Sequence, residues 1–315
     1  MWILALDVGT SSIRAIGYDA LGRPLPGADA RVGCEPTTTP DGGAELDPEE
    51  LVAATASAID RCLAAASGPP AAVGASVFWH SLLALDADGR PLIGVITWAD
   101  TRSAGAAKAL RARLDARRHL IGGATSEGGN VLAWARRTLA LPGEDAALDT
   151  ALAAVAPDSH GLTALPFLAG ERSPGWRGDA RAAVTGISLA TTAPQILRAL
   201  VEAVAYRLAA VYDRLRPLAA PGHVVIASGG ALGHSRVWTQ IMADALGVSI
   251  EVLRGIEASS RGAALLALGA LGRPAPPPEP SGTPVHPDPR RRDIYAAARA
   301  RQGRLYESVV GPRVS

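Results

Sequence analysis

A carboxylate interrupts an otherwise apolar stretch near the start of the chain, in the segment LALDVGTSSIRAIGYDALGRPL at residues 4–25. Residues 2–6 and 12–18 have the length and the apolar, β-branched content of buried strands. Asp7 ends the first run, and the small residues 9–12 separate it from the second. Glycine, threonine and serine at such positions are typical of a turn. The segment therefore predicts two adjacent strands of a sheet joined by a polar turn.

The residues of this turn have two interpretations. In the first, backbone N–H groups and hydroxyls at Gly9, Thr10, Ser11 and Ser12 converge on phosphate oxygens. Asp7 would then hold a hydrated magnesium ion, which keeps several waters and uses one or two carboxylates. In the second, the segment is an ordinary polar hairpin. Both remain open when this stretch is considered alone.

The first half of the chain predicts a mixed sheet followed by helices. Asp47-Pro48-Glu49-Glu50 is a helix start, with proline in the first turn and acids near the positive end of the helix dipole. The predicted elements are strands at 2–6, 12–18, 31–35 and 71–76, a hairpin at 78–98, and helices at 51–66 and 101–114.

The second half predicts alternating strands and helices. The longest periodic segment, 193–215, repeats apolar side chains at helical spacing. A strand at 223–227, the turn Gly229-Gly230, a helix at 235–246 and a strand at 249–253 form a βαβ-type unit. Further elements are helices at 130–139, 259–271 and 293–306, a short strand at 162–168, and a proline-rich loop at 273–291. The chain is therefore predicted to be an α/β protein.

Composition excludes several classes of function. With 31 basic and 30 acidic residues, no overall field favours nucleic acid or an anionic membrane. No apolar run is long enough for a membrane span. Cys34 and Cys62 are too few for a disulfide framework or a cysteine metal cluster, which favours a reducing cytoplasm. Lys108 is the only lysine, which excludes the Gly-rich loop that ends in Gly-Lys-Ser/Thr.

Several motifs follow one another along the chain. They are DVGTSSIRA, AELDPEE, FWHSLLALDADGRPL with TWADTR, PFLAGERSPGW, GISLATTAPQILRALVEAVAYRL, SGGALGHSRVWTQIMADALG and EASSRGAALLA. Taken together and in this order, they resemble the FGGY family of carbohydrate kinases. DVGTSSIRA resembles the first phosphate motif of the family, and AELDPEE the acidic helix start that follows. FWHSLLALDADGRPL with TWADTR is similar to the sugar-facing hairpin, in the form seen in gluconate kinases.

The resemblance implies two actin-like ATPase (ribonuclease H-like) domains with ATP in the cleft between them. The first domain would comprise residues 1–118 and be incomplete, and the second residues 119–315. The implied reaction transfers the γ-phosphoryl group of ATP to a hydroxyl of a sugar or sugar acid, gluconate being favoured. The implied partners are a small-molecule substrate and Mg²⁺, with no nucleic acid and no membrane.

The family's site residues carry over position by position. Asp7 would bind the magnesium ion through water. The positions that match phosphate contacts are Gly9, Thr10, Ser11 and Ser12, with Arg14 nearby. Those that match the sugar pocket are Trp79, His80, Trp98, Asp100 and Arg102. Glu171 and Arg172 match the side of the cleft facing the substrate, and Gly229, Gly230 and Ser235 match the adenosine site.

Each assignment has a structural alternative. His80, Trp79 and Trp98 are also explained as core packing residues. Asp100 with Arg102 is also explained as a surface ion pair without a ligand, and Glu171-Arg172 as structural residues. The histidines at 119, 160, 223, 234 and 286 lack metal-ligand spacing and receive no role.

One part of the family pattern has no match. After the helix that follows TWADTR, members of the family continue to a Gly-Asp turn that carries the catalytic base and to a second phosphate hairpin. Here AKALRARLDARR passes directly to HLIGGATSEGGNVLAW, with the junction near Arg118-His119. Because phosphoryl transfer uses an aspartate to accept the hydroxyl proton, we expect a weak or inactive kinase whose catalytic base is unknown.

The missing segment leaves further alternatives open. The chain is a kinase with impaired activity, a non-catalytic nucleotide- or sugar-binding remnant, or a fragment that binds nothing. The shortened first domain would expose sheet edges and apolar faces. Self-association or a complementing chain would cover them, or the deletion is an error of the gene model.

Overall fold

The computed structural model describes residues 1–78, 81–103, 124–219, 222–228, 235–253, 257–275 and 284–311. The chain divides into two compact units, one formed by Met1–Arg102 with Ile256–Glu279 and the other by Ser103–Gly255 with Pro280–Ser315. The predicted domain junction near residues 118–119 and most of the predicted helix at 101–114 lie outside the described residues.

Strands and helices are numbered here in chain order within the described residues. The strands are β1 Trp2–Val8, β2 Ser12–Asp19, β3 Pro24–Gly33, β4 Thr37–Thr38, β5 Ala44–Leu46, β6 Ala72–Val77, β7 Val95–Ile96, β8 Thr163–Leu165, β9 Ala183–Thr185, β10 Val225–Ala227 and β11 Ile250–Val252. The helices are α1 Pro48–Ala65, α2 Gly129–Thr138, α3 Asp145–Ala153, α4 Ala193–Leu215, α5 Arg236–Leu246, α6 Ala258–Ala270 and α7 Arg292–Val309. None of these helices combines the length and the apolar composition needed to cross a membrane.

A four-stranded sheet forms the centre of the first unit. Its strand order is β3-β2-β1-β6, with β1 antiparallel to β2, β2 antiparallel to β3, and β1 parallel to β6. The predicted strands at 2–6 and 12–18 are thus confirmed, whereas the strand predicted at 31–35 begins already at Pro24. The reason is the preceding turn, in which the Asp19 side chain accepts the N–H groups of Leu21 and Arg23, each at 2.9 Å.

Two helices cover the faces of this sheet. Helix α1 begins where predicted, since Asp47 Oδ1 accepts the N–H groups of Glu49 at 2.8 Å and Glu50 at 3.1 Å. It packs on the face that contains Trp2 and Leu4. Helix α6, from the last third of the chain, packs on the face that contains Ile3, Ala5 and Tyr18.

The 78–98 region pairs less than a hairpin would. Among its described residues, 78 and 81–98, its own pairing consists of the isolated bridges Leu82↔Ile96 and Leu85↔Pro91. Strand β7 pairs instead with β5, which pairs in turn with β4. A turn at 86–90 is present, in which Asp86 N–H donates to Arg90 O at 2.9 Å. The region is therefore joined to the β4–β5 hairpin rather than folded only on itself.

Helix α4 is the centre of the second unit. It has the predicted bounds, Ala193–Leu215, and its buried residues pack against α2, α3, α5 and α7. Strands β10 and β11 are parallel, which confirms the βαβ-type unit around α5. Helix α3 was not predicted, because its short alanine-rich sequence buries only Leu148 and Leu152 and has no side-chain N-cap bond.

Contact between β6 and α6 depends on a residue without a side chain. A Cβ added to Gly74 would lie 2.3 Å from the carbonyl oxygen of Ala263 in α6. We expect Gly74→Ala to lower the free energy of unfolding by about 1–3 kcal/mol, because strand and helix must move apart. Urea unfolding monitored by circular dichroism measures this change.

The matched control is Gly33→Ala. Gly33 is exposed at the end of β3, and an added Cβ meets no atom within 4 Å. We expect this change to shift the free energy of unfolding by less than about 1 kcal/mol. Equal destabilisation by the two alanines would contradict the close approach at Gly74.

Candidate functional site

Residues 9–12, here called the phosphate turn, follow β1 directly and are held by backbone hydrogen bonds. Gly9 N–H donates to Ser12 O at 3.0 Å, and Cys34 N–H donates to Ser11 O at 3.1 Å. A Cβ on Gly9 would lie only 3.0 Å from Ser12 O, so the turn is tight at this position. Ser11 is exposed and Thr10 half-buried, whereas Ser12 is buried. Thr10 and Ser11 are therefore the hydroxyls that reach solvent.

Asp7 lies at the carboxyl end of β1, opposite Arg14 of β2. Arg14 Nη1 is 3.0 Å from Asp7 Oδ2 and 3.0 Å from Glu257 Oε2. Glu257 immediately precedes α6 and was not singled out from the sequence, because only the tertiary fold brings it here. The three side chains carry a net charge of −1, so the cluster still attracts a cation.

The donor set around Asp7 fits a magnesium ion held through water. A single carboxylate suits an ion that keeps most of its waters. Within the described residues, the hydrogen bond and ion pair of Asp7 both involve Oδ2. Oδ1 is therefore available to a metal-bound water, while Arg14 holds the carboxylate in place.

The predicted sugar-pocket residues Trp98, Asp100 and Arg102 belong to the 97–102 segment, which follows β7. Trp98 Nε1–H donates to Thr10 Oγ1 at 3.1 Å, so this segment contacts the phosphate turn directly. Arg102 forms ion pairs with both Asp100 and Glu45. The structure thus brings the predicted phosphate and sugar segments together in the first unit.

Asp100 is committed to contacts within the protein. Its side chain is 3% exposed and accepts the N–H groups of Ala44 at 3.1 Å and Arg102 at 2.9 Å. Burial alone would raise the pKa of Asp100, but hydrogen bonds from the Arg102 side chain and these N–H groups reverse the effect and hold the pKa below its usual value. Asp100 therefore anchors the segment to β5, and its contact with a sugar stays a prediction.

Four of the predicted site residues lie outside the described residues. They are Trp79 and His80 of the sugar pocket and Gly229 and Gly230 of the adenosine motif. Their roles stay predictions.

Ser235 begins helix α5 and lies beside a cavity. Its Oγ accepts the Trp238 N–H at 3.0 Å, and its hydroxyl donates to Asp149 Oδ1. The adjacent cavity has a volume of about 330 Å³. Its walls come from α2, α3 and α5 and include Leu132, Leu148 and Trp238. A mostly apolar cavity of this size, with a few polar groups at its wall, is typical of a small-molecule site.

Glu171 is the buried anion of a second cluster, in the second unit. It is 4% exposed, accepts the Tyr306 O–H at 2.6 Å and forms an ion pair with Arg207. The Arg207 guanidinium also lies over the Phe167 ring, 5.3 Å from its centroid. The carboxylate is thus satisfied by protein groups, which supports the structural alternative for this residue. Its contact with a substrate stays a prediction.

Glu127 lines the same small cavity as Glu171 and was missed from the sequence. It is 5% exposed and accepts the Ala169 N–H at 3.0 Å and an Asn130 amide N–H at 2.7 Å. Burial raises the pKa of Glu127 to about 7, because these hydrogen bonds only partly offset the loss of hydration. A lone glutamate just before a helix normally indicates a solvated first turn, so no sequence signal marked it.

The raised pKa of Glu127 makes stability depend on pH. The group is protonated in the folded state up to about pH 7 but in the unfolded state only up to about 4.5, so its contribution is greatest at low pH and is lost as the pH rises through 7. Between pH 5 and 8 we expect the unfolding free energy of the wild type, relative to Glu127→Gln, to fall by on the order of 2 kcal/mol. Urea unfolding at four pH values measures this difference. Parallel pH profiles for the two proteins would show that Glu127 titrates normally.

Asp158, His160 and Glu202 form a third cluster, with ligand atoms within 4.8 Å of one another. His160 Nδ1 accepts the Leu162 N–H at 3.0 Å, so the ring proton of the neutral histidine lies on Nε2, which contacts Glu202 Oε2 at 3.2 Å. Arg198 pairs with Glu202, and Arg301 pairs with Asp158. The histidine therefore has no free lone pair for a metal and both carboxylates are neutralised, so this donor set does not fit a metal ion. The cluster is a buried ionic network.

Removal of the charge of Glu202 tests this network. Glu202→Gln leaves the guanidinium of Arg198, which is 3% exposed, without its anion, and we expect a loss of about 3–5 kcal/mol in unfolding free energy. Burial opposes ionisation of Glu202, but the His160 hydrogen bond and the Arg198 charge outweigh it and lower its pKa. The stabilisation by ionised Glu202 is therefore complete above about pH 4.5 and is lost as the pH falls through the lower pKa of the folded state.

Asp88→Asn, which removes an exposed ion pair with Arg90, is the control. It should lower the free energy of unfolding by less than about 1 kcal/mol.

Comparison with known proteins identifies relatives of this chain. The model of the FGGY family of carbohydrate kinases, N-terminal domain, matches residues 2–126, and that of the C-terminal domain matches residues 99–271. The gluconokinase of Bacillus subtilis is 32% identical over 164 residues, which cover 49% of this chain and 32% of the relative. The aligned region thus spans about a third of the length of that relative.

Solved structures share the fold. The gluconate kinase from Lactobacillus acidophilus superposes with a TM-score of 0.76 over 99% of both chains, at 16% sequence identity. The glycerol kinase of Plasmodium falciparum with ADP superposes with a TM-score of 0.66 over 98% of both chains, at 14% identity. At these identities the similarity supports the α/β, actin-like ATPase fold and no finer property.

Proposed function

Because this chain belongs to the FGGY family of carbohydrate kinases, we propose that it binds Mg²⁺·ATP and a sugar or sugar acid, and transfers the γ-phosphoryl group to a hydroxyl only slowly. The observation that carries the proposal is the arrangement at the end of β1. There Asp7 stands beside the phosphate turn, and Trp98 of the 97–102 segment donates a hydrogen bond to Thr10. A carboxylate for the metal ion and donors for the phosphate oxygens are groups that phosphoryl transfer uses.

Each part of the nucleotide has a proposed binding group. ATP supplies the phosphoryl group, and its magnesium ion offsets the negative charge of the phosphates. Asp7 would hold the ion through water, and Thr10 and Ser11 would donate hydrogen bonds to phosphate oxygens. The adenosine would occupy the cavity beside Ser235, whose volume of about 330 Å³ is sufficient for a small ring system.

Gluconate is the favoured acceptor. The support is the similarity of the 78–102 region to the hairpin of gluconate kinases, and a gluconokinase relative at 32% identity. Trp79, His80 and Trp98 would contact the sugar acid. Asp100 and Arg102 would act through the segment that they anchor, since their charges already pair with each other and with Glu45.

Slow transfer is proposed because the family's base aspartate has no match in the sequence. General-base catalysis typically contributes a factor of about 10²–10⁴ to a rate. Binding without turnover, in a non-catalytic member of the family, is therefore the second candidate function. Self-association or a complementing chain is part of the same proposal, because either would cover the faces that the shortened first domain leaves exposed. A complementing chain would also supply the absent part.

Two measurements on the full chain test the proposal. In calorimetric titration we expect Mg²⁺·ATP to bind, and Asp7→Asn to weaken that binding at least about tenfold because the metal loses its carboxylate. Asp60→Asn, at an exposed position on α1, is the control and should bind as the wild type does.

In a coupled ADP-release assay with gluconate, xylulose, ribulose and glycerol, turnover should stay well below about 10 s⁻¹. Titrations without heat would refute nucleotide binding, and turnover near 10 s⁻¹ would refute the loss of the base.

A further inference from the structure

The hydrogen bond between Trp98 and Thr10 joins two parts of the first unit that are 88 residues apart in the chain. The donor is the indole Nε1–H and the acceptor is the hydroxyl oxygen of Thr10, at 3.1 Å. Both side chains are partly exposed. The contact therefore lies at the surface of the phosphate turn, where a ligand has access.

The chemistry of the two groups fixes the direction of this bond. An indole nitrogen is only a donor, whereas a hydroxyl has one O–H and two acceptor lone pairs. When Thr10 Oγ1 accepts from Trp98, its own O–H must point away from the indole. Within the described residues, Thr10 makes no other side-chain hydrogen bond. Its O–H is thus free to donate to an acceptor from outside the protein, such as a phosphate oxygen.

The indole itself is held by the residues on either side of Trp98. Thr97 donates both its N–H, at 3.0 Å, and its hydroxyl, at 2.9 Å, to Ala44 O. The carboxylate of Asp100 accepts the Ala44 N–H at 3.1 Å. These bonds fasten the 97–102 segment to β5, so the donor presented to Thr10 is preorganised. A preorganised group loses less conformational freedom when a ligand binds.

We propose that Trp98 is a positioning residue for phosphate binding, which acts through Thr10. Its indole N–H orients the Thr10 hydroxyl so that this hydroxyl donates to a phosphate oxygen of the nucleotide. The inference rests on the proposed function. It assigns to Trp98 a role toward the nucleotide, in addition to the contact with the sugar predicted from the family pattern.

The test uses the full chain and Mg²⁺·ATP, titrated by calorimetry. Trp98→Phe keeps an aromatic ring but removes the N–H, and Thr10→Val keeps the shape but removes the hydroxyl. We expect each to weaken Mg²⁺·ATP binding about tenfold, the effect of one hydrogen bond to a charged group. The double variant should bind no more weakly than Thr10→Val alone, because both changes remove the same hydrogen-bond chain. Thr10→Ser, which restores the hydroxyl, should recover most of the affinity lost in Thr10→Val.

Trp2→Phe is the matched control. The Trp2 indole also donates one hydrogen bond, to Gly68 O at 3.1 Å, but Trp2 lies at the start of β1 rather than at the phosphate turn. Loss of the Trp2 indole N–H should leave the Mg²⁺·ATP affinity unchanged. The indole N–H proton resonance of Trp98 gives a second readout that needs no ligand, and it should shift in Thr10→Val and return in Thr10→Ser.

The outcomes separate this inference from the proposed function. If the wild type and Trp98→Phe bind Mg²⁺·ATP equally well, the positioning role is refuted while nucleotide binding stands. Additive losses in the double variant, or an unmoved indole resonance in Thr10→Val, also refute the role. If the wild type binds no Mg²⁺·ATP, the proposed function fails, and the positioning role fails with it.

Discussion

Burial of β1 on both faces is the constraint on which the first unit depends. Trp2 and Leu4 contact the layer that contains α1, whereas Ile3 and Ala5 contact the layer that contains α6, and all four are at most 5% exposed. A strand covered in this way cannot shift register without moving every side chain into the wrong layer. Asp7 is the first polar residue of this strand, and its position is therefore as well defined as that of the core residues. A metal ligand needs this kind of support, because a small displacement of a carboxylate changes the geometry around the ion.

Several buried carboxylates among the described residues are neutralised by an arginine. Asp100 with Arg102, Glu171 with Arg207, and Glu202 with Arg198 all form ion pairs in which at least one partner is buried. Such pairs add little net stability compared with apolar packing, but they are costly to break and so define one arrangement of the chain. In two places one arginine is shared by two carboxylates, Arg14 by Asp7 and Glu257 and Arg102 by Asp100 and Glu45, so each group of three retains negative charge. Asp7 is the candidate cation ligand of these groups because its strand leads directly into the phosphate turn.

Features encoded by neighbouring residues could be predicted from the sequence. Helix α4 was predicted with its observed bounds, because apolar side chains recur at helical spacing through all of its 23 residues. The phosphate turn was predicted because the strand, the aspartate and the small residues are adjacent in the chain. The family could be recognised for a similar reason, since its motifs are short and follow one another in order.

Features that depend on distant contacts could not be predicted. Glu257 meets Arg14, and Ser260 meets Tyr18 at 2.9 Å across 242 residues, only after the sheet and α6 have packed. The 78–98 region was predicted as a simple hairpin. Its pairing with β5 could not be predicted, because the alternation of apolar and polar residues within a region does not identify a partner strand elsewhere in the chain. The burial of Glu127 is likewise a property of the loop at 167–173 and of helix α4, which line the same cavity.

Helix α6 also affects how the protein is made. The sheet of the first unit is complete once β6 has been synthesised, yet one of its faces is covered by residues that follow about 180 positions later in a chain of 315. During translation, Ile3, Ala5 and Tyr18 therefore remain without their helix until residues 258–270 have left the ribosome. Until then the nascent sheet carries an uncovered apolar surface, and a chaperone that binds such surfaces would find its target in this interval.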